Sequence, residues 1–78
     1  MRKRPLIVVE WDDISSYSSW GIEKESKDWT PLRCVSVGWK MPSGKKHLTM
    51  ASTRSEGKQC TDRQVIPKGC IIKIRRLE

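Results

Sequence analysis

Leu6-Ile7-Val8-Val9 opens the patterned part of the chain with four apolar residues in a row, three of them β-branched. In an extended strand Ile7, Val9 and Trp11 share one face and Leu6 and Val8 the other. Both faces are apolar until Glu10, which predicts a strand buried at its start. Asp12-Asp13 predicts its end, because an Asp carboxylate accepts hydrogen bonds from nearby backbone N–H groups in turns. A second strand is read over Leu32–Met41, where Val35, Val37, Trp39 and Met41 alternate with Cys34, Ser36, Gly38 and Lys40. Gly38 inside it predicts a bulge or strong bend that curls a short sheet.

Pro42-Ser43-Gly44-Lys45 supplies a hairpin turn, and Lys46–Thr53 returns as a third strand with Leu48 and Met50 on one face and His47, Thr49 and Ala51 on the other. Arg54–Asp62, polar and containing Gly57, reads as a loop. The β-branched pair Val65-Ile66 and the run Ile71, Ile72, Ile74 are the fourth and fifth strands. Between them Pro67 cannot donate a ladder hydrogen bond and Gly69 tolerates unusual φ, so the chain turns sharply. Residues 14–31 show no period. Serines 15, 16, 18 and 19 around Tyr17 look like a loop, although Ser19 can cap one or two helical turns in which Glu23 and Lys27 pair at i,i+4. Gly21 weakens such a helix and Pro31 ends it. Trp20 and Ile22 are expected to pin this segment over one end of the fold.

Five short strands, a long loop (with room for one short helix) after the first and a tight break before the last predict a mainly β protein: a small five-stranded SH3-like or Sm-like barrel. A split two-layer α+β domain is the alternative and would require an amphipathic helix over 15–28, which the sequence does not show. The expected organisation is one domain, 1–78, with a basic arm at 1–4.

Composition alters this picture in three ways. There are four Trp and no Phe, so Trp11, Trp20, Trp29 and Trp39 are expected to supply much of the core. The net charge of +7 is unevenly placed: six carboxylates between Glu10 and Asp28 face only Lys24 and Lys27, whereas eleven cations from Arg33 to Arg76 face Glu56, Asp62 and Glu78. A basic half beside an acidic lobe points to an anionic partner rather than to solubility alone. Cys34, Cys60 and Cys70 are odd in number and lack a C-x-x-C pair, which argues against a secreted disulfide framework, and the apolar run Leu6–Val9 is too short for a signal peptide or a membrane span. The expectation is a reduced, cytoplasmic protein with no membrane partner.

Catalytic chemistry finds little support. His47 and Cys34 are the available base and nucleophile, but Cys34 lies among apolar strand residues and reads as an inert buried thiol. Cys34, His47, Cys60 and Cys70 are zinc-type ligands without a short knuckle spacing, so no metal is expected. Glu10, Asp12 and Asp13 read as a strand end rather than paired carboxylates, and the glycines are isolated rather than gathered in a phosphate loop. No enzyme and no cofactor are expected. Binding has better support. Lys40, Lys45, Lys46, Arg54, Lys58 and Arg63 flank the central hairpin and the next loop, and Lys68, Lys73, Arg75 and Arg76 form a second group, with Lys73 and Arg75 on one face of the last strand. Tyr17 or Trp20 can offer a stacking platform for a base, though an anchoring role is the plainer reading of both.

Val9-Glu10-Trp11-Asp12, Trp20-Gly21, Val37-Gly38-Trp39, Leu48–Ser52, Ile66–Ile71 and Ile74–Leu77 together resemble, in order along nearly the whole chain, a group of small proteins encoded by bacteriophages and prophages. The resemblance implies a phage origin, a compact β fold and a place in the cytoplasm of an infected bacterium. It carries no catalytic motif. The expected function is non-enzymatic binding of an anionic ligand, nucleic acid or a signalling nucleotide, in action against host defence. The alternative is a protein–protein inhibitor of a host defence enzyme, comparable to an anti-CRISPR protein, docking through the acidic lobe 10–28. A homo-oligomer built on open strand edges is a further expectation.

Overall fold

The computed structural model describes residues 3–14 and 20–77. The chain is mainly β, with five strands: β1 (Leu6–Asp13), β2 (Leu32–Lys40), β3 (His47–Arg54), β4 (Cys60–Pro67) and β5 (Ile71–Arg76). A 3-10 helix, Glu23–Asp28, lies between β1 and β2, and a 3-10 turn, Lys68–Cys70, between β4 and β5. The strands form one antiparallel sheet in the order β4-β3-β2-β1-β5. The sheet is open, because β4 and β5, consecutive in the chain, stand at its two edges.

Two wings meet at β2. It pairs with β1 from Leu32 to Trp39 but with β3 only at Trp39 and Lys40. The sheet therefore folds over at this junction, and the wing β2-β1-β5 lays Ile7 and Val9 against Leu48, Met50 and Ile66 of the wing β3-β4. Trp11, Cys70 and Ile71 pack on that cluster. Ile66 and Val9 are fully buried, each contributing about 1.5–3 kcal/mol relative to exposure.

The alternations read in β1 and β3 hold: Ile7, Val9 and Trp11 face the core with Leu48 and Met50. Several other expectations are corrected. β1 does not stop before Asp12-Asp13 but runs through Asp12 and ends at Asp13, the two paired with Arg33 and Leu32, and Arg33 Nε donates to Asp12 Oδ1 at 2.6 Å across the ladder. Gly38 marks no bulge. The β1–β2 register runs straight through it, and the irregularity lies at Glu10/Trp11 opposite β5. A Cβ on Gly38 would stand 2.8 Å from the Ala51 carbonyl oxygen, so glycine is required where the two backbones approach closely. With Gly38 turned to β3, Cys34 and Ser36 share its face, and Val35 and Val37 point outward, 63% and 55% exposed.

The tryptophans do not form the core. Trp20 is fully exposed, Trp29 is exposed, and Trp11 and Trp39 are half-buried. Trp11 keeps its indole N–H on Ser36 Oγ at 2.9 Å, which holds the ring at the edge of the core. Trp20 and Ile22 pin nothing. The 3-10 helix begins after Ile22 without a side-chain cap, and with three residues per turn it does not stack Glu23 on Lys27. Ser19, the cap read from sequence, lies outside the described residues. Cys34 is half-exposed, its thiol 3.5 Å from the Leu32 carbonyl, rather than buried. The fourth strand begins at Cys60, so the loop read as Arg54–Asp62 shrinks to residues 55–59.

Candidate functional site: two joined basic concavities

Where the N-terminal arm meets the β2–β3 turn, the fold leaves two adjoining hollows of about 760 and 330 Å³ that share Arg4, Met41 and Pro42 as a common wall. Backbone bonds assemble this end of the molecule. Lys40 N–H donates to the Pro5 carbonyl at 2.9 Å, which docks the arm, with Arg4, against the end of β2. Ser43 Oγ donates to the Met41 carbonyl at 2.9 Å and accepts the Thr49 N–H at 3.0 Å, cross-linking the turn. Gly44 N–H donates to His47 Nε2 at 3.2 Å, and the imidazole fills the space in which a Cβ on Gly44 would sit. His47 is thus a structural acceptor. Lys68 N–H donates to the Lys46 carbonyl at 2.9 Å, which brings the 3-10 turn to the same rim.

The larger hollow has an apolar floor of Leu48, Ile71 and Ile74 and a rim carrying Arg4, Lys40 and Lys68. The smaller is walled by Arg4, Arg54, Lys58 and Arg63, with Thr49 and Gln59 among them. No Asp or Glu lines either hollow among the described residues. Arg54 also lies over the Trp39 ring, 5.4 Å from its centroid, a cation–π contact that ties this wall to the wing junction. Lys58 is held at φ 63° by the tight end of the β3–β4 hairpin, where its N–H donates to the Ser55 carbonyl and Ser55 N–H donates to the Gln59 carbonyl.

No family model matches this chain, and neither a curated protein nor a solved structure is similar to it. The site is therefore read from its own chemistry. Five of the cations expected from sequence converge here: Lys40, Arg54, Lys58, Arg63 and Lys68. Lys45 and Lys46 lie on the exposed turn nearby without lining a hollow. Lys73 and Arg75 share the outer face of β5 opposite Glu10 and Val8, as read, and Arg76 pairs with Ile7 at the other end of that ladder; none of the three lines the concavities. Trp20 lines neither hollow, and Tyr17 lies outside the described residues.

Arg4 is the residue missed from sequence. Its position one residue ahead of the Pro5 that leads into β1 is the signal, because in an antiparallel pair the start of β1 must lie beside the end of β2. Away from this site, the Asp12 carboxylate raises the Arg33 guanidinium pKa above its ordinary value, through their hydrogen bond first and its charge second. Among the described residues no three His, Cys, Asp or Glu gather as metal ligands, and no helix is long and apolar enough to cross a membrane.

Proposed function

We propose that this chain is a non-enzymatic binding protein for a nucleotide-sized anionic ligand. The supporting observation is the pair of joined hollows ringed by six cations, with no carboxylate on their walls among the described residues and an apolar floor in the larger. The guanidinium groups of Arg4, Arg54 and Arg63 can offer forked donors to phosphate oxygens, with Lys40, Lys58 and Lys68 as point charges. Leu48, Ile71 and Ile74 then take the base, and the combined volume suits such a ligand. The strand order, with a 3-10 turn linking the two edge strands, supports reading the fold as a small SH3-like or Sm-like barrel opened between β4 and β5. A phage origin, expected from the sequence alone, would make host defence the target, with a signalling nucleotide as the ligand that fits these hollows.

Calorimetric titration with mono-, di- and cyclic nucleotides tests the reading. Binding is expected to weaken by about 10-fold or more in each of Arg4→Ala and Arg63→Ala, since a hydrogen bond to a charged group contributes about 1.5–3 kcal/mol. Absence of heat with every nucleotide at millimolar concentration, or unchanged affinity in both variants, sinks it. A labelled oligonucleotide that binds more tightly than any nucleotide, with log affinity falling steeply against log salt, moves the assignment to nucleic acid.

A further inference from the structure

The chain exposes more surface than a self-sufficient protein of its mass. Its accessible area is 6409 Å² at 9.0 kDa, whereas a compact monomer of that mass exposes about 4,800 Å². Its radius of gyration is 15.9 Å, against about 11.5 Å for a compact 78-residue domain. The excess of about 1,600 Å² is twice what one partner contributes to an interface of standard size, about 800 Å². Residues 20–33 are exposed throughout, and a further open stretch lies where β2 leaves β3. No described residue pairs with Leu32–Val37 on the side away from β1.

The direction of the unused backbone groups follows from alternation. Lys40 N–H bonds toward β1, at Pro5, and Met41 N–H bonds toward β3, at Thr49. Counting back from Lys40, even-numbered residues of β2 bond to β1, so the N–H and C=O groups of Arg33, Val35 and Val37 point away from it. Two of these three are β-branched residues with exposed side chains. Among the described residues no strand covers this edge, which suits antiparallel addition of another strand.

We propose that a second copy of this chain docks on this edge, β2 against β2, about a two-fold axis at Val35. Val35 then exchanges both hydrogen bonds with its mate and Arg33 pairs with Val37 on either side, about six main-chain bonds in all. Pro31 ends the new ladder just before it would meet β3 of the other copy, since proline has no N–H to add. Charge agrees with this arrangement. Residues 10–33 carry six carboxylates against Lys24, Lys27 and Arg33, net −3, which leaves +10 on the remainder of the +7 chain. Antiparallel pairing carries the acidic end of each copy along β2 of the other toward Lys40, Lys45 and Lys46 at its β2–β3 turn, twice, by symmetry.

Sedimentation equilibrium from 1 to 100 µM tests the proposal. The unaltered chain is expected at twice 9.0 kDa. Val35→Pro removes an outward N–H while sparing the β1 ladder, and Val37→Lys places a charge on the same edge; each is expected to raise the dimer dissociation constant at least 10-fold. Val37→Lys alone decides the matter if Val35→Pro does not fold. A monomer throughout the concentration range, a ring of three or more copies, or a dimer unaffected by Val37→Lys overturns the proposal.

Discussion

Gly38 and Trp20 are opposite cases of how little a residue's size says about its energetic role. Gly38 has no side chain, yet the space beside it is filled by the Ala51 peptide, which is backbone and cannot move aside as a side-chain tip can. Gly38→Ala is expected to cost about 2 kcal/mol or more, a fall in Tm of roughly 10 °C in thermal melts followed by circular dichroism. Trp20 has the largest side chain of any residue type and is fully exposed. Trp20→Ala is expected to leave stability within about 0.5 kcal/mol in the same melts, and a large loss would mean that the ring is buried. The site depends on a similar contrast, since Arg4 reaches it through the Pro5 carbonyl bond to Lys40 and not through any pattern of its own.

Among the elements, the β3–β4 hairpin joins stability to the proposed binding most directly. Lys58 occupies the left-handed region while Gly57 does not, so the strain falls on a residue with a Cβ and a charge that walls the smaller hollow. Lys58→Gly is expected to stabilise the chain by about 0.5–1 kcal/mol in urea melts and to weaken anion binding in the same preparation. Loss of stability would show that the Lys58 conformation is not strained. Strands that bury one face were legible from sequence, as in β1 and β3, where apolar residues recur with period two over a real core. The break between β4 and β5 was legible in place but not in mechanism, because Pro67 closes β4 opposite His47 and Gly69 takes no positive φ. The start of β4 was not, since Cys60–Gln64 is held by pairing with β3 rather than by burial, and pairing leaves no hydrophobic period. Nor was the outward turn of β2, which a close approach at Gly38 decides from another strand. Of the site, the cations could be named from sequence, but their division between the concavities and the outer face of β5 depends on register that a list of charges does not contain.

At the scale of the molecule, the two proposed interactions respond to salt in opposite senses. A ligand held by cations loses affinity as ionic strength rises, because screening acts on exposed charges. Screening also weakens the charge attraction between the two copies, but the edge keeps its main-chain bonds and apolar contacts, which sulfate strengthens. Raising ammonium sulfate is therefore expected to release a bound nucleotide while the sedimenting mass stays at the dimer value. Loss of both together would mean that one interface serves both roles. The junction of the wings has a mechanical side as well. Trp39 and Lys40 are the two positions at which β2 is laddered to β3, so this short splice between the wings acts as a fulcrum. One of these residues supports Arg54 and the other lines the larger hollow. A load applied to either wing passes through this splice to the walls of the two hollows.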